Sequence, residues 1–195
     1  MNEINTNMVP FPKLNFLASS FSPFGICGFS KVSNAMSRKD NFWNTCSKSN
    51  QLVKIDPMEA DSALIAAMLI GRGEYSVTVM RKYVDILQNK APFQHWSRKC
   101  IKIGLCGVAP NGLDYSMLAL FNTSTITNLF DYVSSHYQKL LRRKAHIHHY
   151  TEVQGFEFDH FNECQNIIAT VTDHYEEIKK SKTEAIPRLE SDVFC

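Results

Sequence analysis

Three histidines, His146, His148 and His149, lie close together in the segment LRRKAHIHHY of residues 141–150. Imidazole is a preferred zinc ligand, and a helix presents positions three or four apart on one face, as for His146 and His149. The sequence has no H-E-x-x-H motif and no C-x-x-C pair to complete a site of about four ligands. A zinc-binding module is therefore only an alternative interpretation of this segment.

Arg142, Arg143 and Lys144 precede these histidines and form a candidate basic surface. The chain carries 21 basic and 19 acidic residues, and a formal net charge of +2 is too small to indicate a nucleic-acid-binding protein. Aromatic residues are not interleaved with the basic runs. A basic-patch binding module stays an alternative function, but the pattern favours cations at a helix C-terminus, and we expect no nucleic-acid partner.

Gly71-Arg72-Gly73 lies where a predicted strand meets a predicted helix, which is the position of a phosphate-binding loop. Ser76 replaces the third glycine of G-x-G-x-x-G, and no G-x-x-x-x-G-K-[ST] or G-x-S-x-G motif occurs. We therefore expect a tight turn at these glycines, no cofactor bound by this chain alone, and no enzyme activity of its own.

The composition is that of a globular domain, with 44% hydrophobic residues. The longest apolar run, Ala63–Ile70, is much shorter than the roughly 20 residues of a membrane span, and the N-terminus resembles neither a secretory signal nor a lipidation motif. We expect no membrane contact. The six cysteines follow no metal or disulfide spacing and are expected to be reduced thiols in the cytoplasm.

The hydrophobic pattern predicts the elements that position these residues. Alternating or continuous apolar runs predict strands, and apolar positions three and four apart predict helices. Asn-Gly within PNGLD is a hairpin signal between the last two strands, although the loop is longer than two residues. The predicted strands are 14–21, 62–70, 101–105 and 116–121, and the predicted helices are 40–47, capped by Asp40, then 77–90, 124–141 and 159–178, the last capped by Asp159.

Two distant stretches resemble tubulin: NMVPFPKLNFL at 7–17 and LLRRKAHIHHYTEVQGFEFDHF at 140–161. Between them, GRGEYSV and CGVAPNGL resemble the family's segments before a helix and between two strands. Within the family, MNEI, KAHIHHY and IPRL look most like the epsilon type, with delta and zeta types as neighbours. The usual acidic tail is not matched by the residues at the end of this sequence.

The resemblance implies a fold and a division of the chain. The fold class is α/β (α+β), with a mixed sheet flanked by helices as in the tubulin intermediate domain, followed by two long C-terminal helices. Residues 1–123 would be part of the intermediate domain, 124–180 the C-terminal helical region and 181–195 a loose polar tail. The glycine-rich half that binds GTP with Mg in the family would precede residue 1, so Ser62–Ile70 is expected to lack its usual helical cover.

The resemblance also implies functional residues. Glu3 stands four residues before Asn7, where alpha-tubulin has the glutamate that activates water on the GTP of the next subunit. Head-to-tail contacts with other tubulin subunits fall on the helix 1–8 and on the helix after GRG, and sideways contacts on the loop 25–39. The expected contact residues are Asn7, Val9, Pro10, Phe11, Arg81, Tyr83 and Val84.

The expected function is that of a fragment of an epsilon-like tubulin, a structural subunit of microtubule, centriole or basal-body assemblies. Centriolar or microtubule-associated proteins would meet the outer C-terminal helices and the basic side chains of 142–144. The expected location is the cytoplasmic cytoskeleton, at the centrosome, centriole or basal body.

Overall fold

The computed structural model describes residues 2–23 and 37–181. Met1, most of the predicted sideways-contact loop and the predicted tail from 182 onward lie outside the described residues. The helices are α1 Asn2–Met8, α2 Arg38–Cys46, α3 Val77–Lys90, α4 Thr127–Arg142, α5 Ile147–Thr151 and α6 Asp159–Lys180. The strands are β1 Ala18–Ser22, β2 Leu64–Gly73, β3 Ile101–Cys106 and β4 Tyr115–Thr123.

The four strands form one mixed sheet in the order β1-β4-β2-β3. The strand β2 pairs in parallel with β3 and antiparallel with β4, and β4 pairs antiparallel with β1. The most apolar strand therefore lies inside the sheet, as its sequence predicted. With helices on both faces, the expected α+β class with a mixed sheet is confirmed.

The predicted hairpin between the third and fourth strands is wrong. β2 lies between β3 and β4, so the two strands that flank PNGLD do not pair with each other. The connection is long enough to cross the end of β2, and the apolar β2 gains a partner on each side by this crossing. Gly112, in the Asn-Gly pair, has a φ of 78° and serves a turn within this connection.

One face of the sheet is covered by α2 and α3. Leu69 of β2, Met117 and Phe121 of β4 and Met80 of α3 are fully buried in this cluster. Phe42 of α2 stacks on Tyr83 of α3, with ring centroids 4.6 Å apart and an interplanar angle of 4°. The amphipathic pattern of α3 thus becomes the main core of the domain.

The opposite face is covered at one end by α1 and α6. Tyr175 of α6 and Met8 of α1 have no exposed surface, and Leu14, Ile65 and Ile126 complete a second cluster around Tyr175. α4 packs beside α6, and Phe130 of α4 meets Phe16 edge-on with centroids 4.8 Å apart. The helical region therefore shares this cluster with the sheet. The boundary at 123/124 stays a prediction.

The expected loss of cover over Ser62–Ile70 is only partly correct. Residues 62–67 and Leu69 are buried, whereas Met68 and Ile70 are half-buried. Strand alternation and pairing place Met68 and Ile70 beside Leu120 and Leu118 of β4, which are also half-buried, and Phe21 of β1 continues the row. We call Phe21, Met68, Ile70, Leu118 and Leu120 the open sheet face.

Two element boundaries differ from the prediction at strands. The first strand begins at Ala18 rather than Leu14, because Leu14 closes a turn onto Phe11 and Phe16 N–H donates to the Tyr175 hydroxyl instead of a ladder. The predicted tight turn at Gly71-Arg72-Gly73 is part of β2. Only Gly73 has the positive φ, 90°, that a glycine accommodates.

Two predicted helix caps also differ. Ser37, not Asp40, is the N-cap of α2, and Asp40 lies three positions on as the partner in a capping box. Asp159 is the first residue of α6, whose N-cap is Phe158 without a side-chain hydrogen bond. Within the described parts of the chain, no helix combines the length and apolar character needed to cross a bilayer.

Candidate functional site

The α1 helix places Glu3 in its exposed first turn. The helix has seven residues, and its turns are reinforced by Asn7 Nδ2, which donates to the Glu3 carbonyl at 2.7 Å, and by Thr6 Oγ1, which donates to the Asn2 carbonyl at 2.8 Å. Asn7 is half-buried, while the Glu3 carboxylate lies on the exposed side. Negative charge is favoured at this helix end, so the placement is also that of an ordinary surface acid.

The chain leaves α1 through Val9, Pro10 and Phe11, which continue the same exposed region. Val9 is half-buried, Pro10 is exposed, and Phe11 has 48% of its surface exposed. Phe11 is held edge-on against Trp96, with ring centroids 5.8 Å apart. The structure therefore brings five of the predicted residues together, and we call Glu3, Asn7, Val9, Pro10 and Phe11 the candidate contact surface.

The three predicted residues on α3 are not part of this surface. They lie on the opposite face of the sheet, and only Arg81 is exposed. Tyr83 has 6% of its surface exposed and stacks in the core on Phe42, while Val84 is half-buried against the same cluster. Tyr83 is thus a core residue of this chain. Val77, with 54% exposure at the start of α3, is an apolar surface residue that the sequence reasoning missed.

The basic side chains of 142–144 are all exposed at the end of α4. The chain turns there through left-handed backbone at Lys144 and His146, with φ values of 52° and 60°, and then forms the short helix α5. The ring centroids of His146 and His149 lie 6.2 Å apart, and the two rings are nearly parallel. Across residues 2–23 and 37–181, no cluster of three metal-binding side chains is formed.

An aromatic cluster beside these histidines was not predicted. The rings of Tyr150, Phe156 and Phe161 lie with centroids 5.1–5.8 Å apart; Phe161 meets the other two edge-on, and Tyr150 and Phe156 are tilted by 39°. Tyr137 Oη donates to the Phe161 carbonyl at 2.8 Å, and desolvation raises the pKa of the Tyr137 phenol. The sequence carried a signal for this cluster, because Tyr150 precedes Gly155 and three phenylalanines, Phe156, Phe158 and Phe161, follow it. The cluster joins α4, α5 and α6 at the end of the molecule that carries the basic side chains.

The Gly71–Gly73 segment does not form a phosphate-binding loop. A glycine-containing segment that could approach phosphate, Gly71–Gly73, pairs with β4 throughout and with β3 as far as Arg72. Its main-chain N–H groups therefore belong to a ladder rather than to an anion-binding loop. A Cβ at Gly73 would lie 2.2 Å from the Asp114 carbonyl oxygen, so the absence of a side chain here serves chain packing.

Comparison with known proteins identifies one family. The sequence model described as the tubulin C-terminal domain matches residues 12–135. The tubulin epsilon chain of Mus musculus is 32% identical over 188 residues, covering 96% of this chain and 39% of that protein, and the Homo sapiens epsilon chain is 32% identical over 193 residues, covering 97% and 40%. The tubulin beta chain of Schizophyllum commune is 27% identical over 196 residues, covering 100% and 43%. The chain thus spans about two fifths of the length of these relatives.

Proposed function

The chain belongs to the tubulin family, and we propose that it is the later, polymer-contacting part of an epsilon-like tubulin, a structural subunit of microtubule, centriole or basal-body assemblies. The observation that carries the proposal is the family match, which spans the sheet, α2, α3 and the first half of α4. Similarity to epsilon chains supports a location at the centrosome, centriole or basal body in the cytoplasmic cytoskeleton. Binding of GTP with Mg belongs, in this proposal, to other parts of the subunit.

The open sheet face supports the view that this body packs against another part of such a subunit. Five neighbouring apolar side chains are only half-buried on a surface that β-sheets normally cover. We expect the purified chain to enhance the fluorescence of a hydrophobic dye, and Leu118→Gln together with Leu120→Gln to reduce this enhancement. A wild-type chain that is silent to the dye would remove this support.

The candidate contact surface is proposed to meet a neighbouring tubulin subunit head to tail. Phe11 is a large aromatic residue that is anchored by Trp96 yet half-exposed, as expected for a residue that completes its burial in a complex. On the other face of the sheet, Arg81 and Val77 are exposed on α3 and are the proposed contact residues there. Tyr83 and Val84 would support this second region from within the core.

The experiment is binding of the chain to immobilised tubulin dimers. Phe11→Asp places a charge in the proposed interface and should weaken binding by about tenfold or more. Leu52→Asp is the matched control, because Leu52 is 81% exposed and lies outside both proposed contact regions. Equal loss of binding in both variants, or no binding by the wild-type chain, would contradict the proposed contact.

Glu3 is proposed to act on the nucleotide of the neighbouring subunit. An exposed carboxylate at the start of α1 can orient or deprotonate a water molecule if the docking brings it to a phosphate held by another chain. In a full-length form, Glu3→Ala is expected to slow GTP hydrolysis within the polymer while subunit binding is retained. An unchanged hydrolysis rate would exclude this role.

The outer surface is proposed to bind acidic centriolar or microtubule-associated proteins. Arg142, Arg143 and Lys144 are exposed at the end of α4, and Tyr150 and Phe158 in the segment that follows are 51% and 45% exposed. Cations beside exposed aromatic residues suit an acidic, partly apolar protein segment. Reversal of all three charges to glutamate should abolish the salt dependence of such binding, and binding that is unchanged would argue against this surface.

A further inference from the structure

The segment between α1 and β1 is held by two buried side chains from distant parts of the chain. Asn122 Nδ2 donates to both the Met8 carbonyl and the Leu14 carbonyl, at 2.8 Å each. Tyr175 Oη accepts from Phe16 N–H at 3.2 Å. Three main-chain groups of residues 8–16 therefore depend on Asn122 of β4 and Tyr175 of α6.

The two side chains also contact each other. Tyr175 Oη donates to Asn122 Oδ1 at 3.4 Å, and neither residue has any exposed surface. Both Asn122 amide hydrogens and the Tyr175 hydroxyl are thus used within one network without access to water. Buried networks of this kind hold a specific arrangement, because an unpaired member carries a full desolvation cost.

Apart from this network, the α1 helix is attached to the domain through Met8, with Phe11 packed against Trp96 just after it. It is seven residues long, too short to be stable in isolation, and its single buried residue is Met8. Two main-chain hydrogen bonds of the adjoining segment, Val9 N–H to the Asn5 carbonyl and Leu14 N–H to the Phe11 carbonyl, are local. Local bonds shape the segment but do not fix its orientation on the sheet.

We propose that Asn122 and Tyr175 are positioning residues that fix α1 and residues 9–16 against the sheet, so that α6 determines how the candidate contact surface is presented. The network connects α1, at the Met8 carbonyl, to α6, at Tyr175, through Asn122 near the end of β4. Only the statement that this surface meets a neighbouring subunit rests on the proposed function. The positioning itself concerns this chain alone.

The test measures amide hydrogen exchange in the full chain that carries the substitution Tyr175→Phe and compares it with the wild-type chain. This variant keeps the ring in the core but leaves Phe16 N–H and Asn122 Oδ1 without the hydroxyl. Exchange of the Met8, Val9 and Phe16 amides should accelerate by about tenfold or more, while the amides of β2 and α3 keep their rates. Tyr75→Phe is the matched control: it removes a buried hydroxyl bonded to Asn41 at 2.8 Å on the other face, and should leave the α1 amides unchanged.

An equal acceleration in all elements, or none in α1, would overturn the proposal.

A second measurement needs no variant. In low denaturant, the wild-type α1 amides should exchange together with those of the last turns of α6, and independent opening of the two helices would also overturn the proposal. Binding to tubulin dimers separates the two proposals. If Tyr175→Phe loosens α1 without changing that binding, the contact role of α1 fails and the positioning stands.

Discussion

Gly73 illustrates how a single residue type is required by the surrounding backbone. It combines a φ of 90° with a position where a Cβ would lie 2.2 Å from the Asp114 carbonyl oxygen and 2.9 Å from Tyr115 Cα. Gly155 has a φ of 87° but open space around it, and Gly107 is unrestricted by neighbours. Gly73 therefore combines backbone strain with steric overlap, Gly155 has the strain alone, and Gly107 has neither.

We predict that Gly73→Ala destabilises the domain by about 3 kcal/mol or more, because backbone strain and overlap with main-chain atoms add. Gly155→Ala should cost about 1–2 kcal/mol from the left-handed backbone alone. Gly107→Ala, the control, should change the free energy of unfolding by less than about 0.5 kcal/mol. Denaturant unfolding measures all three, and a Gly73→Ala cost equal to that of Gly155→Ala would show that the main chain relaxes.

At the residue scale, the exposure of charged side chains follows from the sequence, whereas the burial of Tyr83 was not predicted. Glu3, Arg81 and the basic side chains of 142–144 are exposed as expected. Tyr83 follows Met80 and precedes Leu87 at spacings of three and four, so the helical period already placed it on the buried face. The family resemblance assigned Tyr83 to a subunit contact, which stays a prediction, whereas the helical period indicates its burial within this chain.

At the scale of elements, helices were more predictable than strand pairing. Apolar spacing located α3, α4 and α6 within a few residues, because that spacing is a local property. Pairing is not local: the Asn-Gly signal could not show that β2 would lie between β3 and β4. The short helix α5 was missed because its five residues include no apolar period.

The start of α2 provides a prediction at this scale. Ser37 Oγ accepts from Asp40 N–H at 3.2 Å, and Asp40 Oδ2 accepts from Ser37 N–H at 3.4 Å. Ser37→Ala and Asp40→Ala should each cost up to about 1 kcal/mol, and the double variant should cost less than their sum because the two bonds form one motif. Thermal unfolding measures the cycle, with Lys39→Ala as an exposed control in the same turn. Strictly additive costs would show that the capping box is not formed in solution.

At the scale of the whole molecule, burial of three weak acids predicts sensitivity to alkali. Desolvation raises the pKa of Tyr75 and of Tyr175 from 10.0 to about 12. Burial, with a smaller contribution from Asp56, raises the pKa of the Cys46 thiol from 9.0 to about 12. Each group binds its proton more tightly in the folded state. The associated stability is therefore complete below the unfolded pKa and is lost as pH rises towards 12.

We therefore predict that the free energy of unfolding falls by several kcal/mol between pH 9 and pH 12. Each buried group whose pKa is raised by about two units contributes about 2–3 kcal/mol to this fall. Tyr75→Phe should make this fall shallower above pH 10 while the curves stay parallel between pH 6 and 8. Urea unfolding across this range is the measurement. An identical alkaline slope in wild type and variant would show that Tyr75 does not contribute.

The sequence predicted the two-sided architecture and the family, but not which part of the sheet would be covered. Ile65 is buried in the cluster around Tyr175 of α6, which contacts Asn122, whereas Leu64 and Ala67 are buried on the other face with α2 and α3. No local pattern marks such a contact. The remaining open sheet face and the candidate contact surface are what a subunit of a larger assembly would retain.

Sedimentation velocity of the wild-type chain mixed with tubulin dimers tests the central claim most directly. If the chain is the polymer-contacting part of a tubulin subunit, it should move with the dimers as a faster boundary whose amount saturates with dimer concentration. Weak specific association has dissociation constants of about micromolar to tens of micromolar. Separate boundaries for chain and dimers at concentrations up to about tens of micromolar would therefore contradict the account.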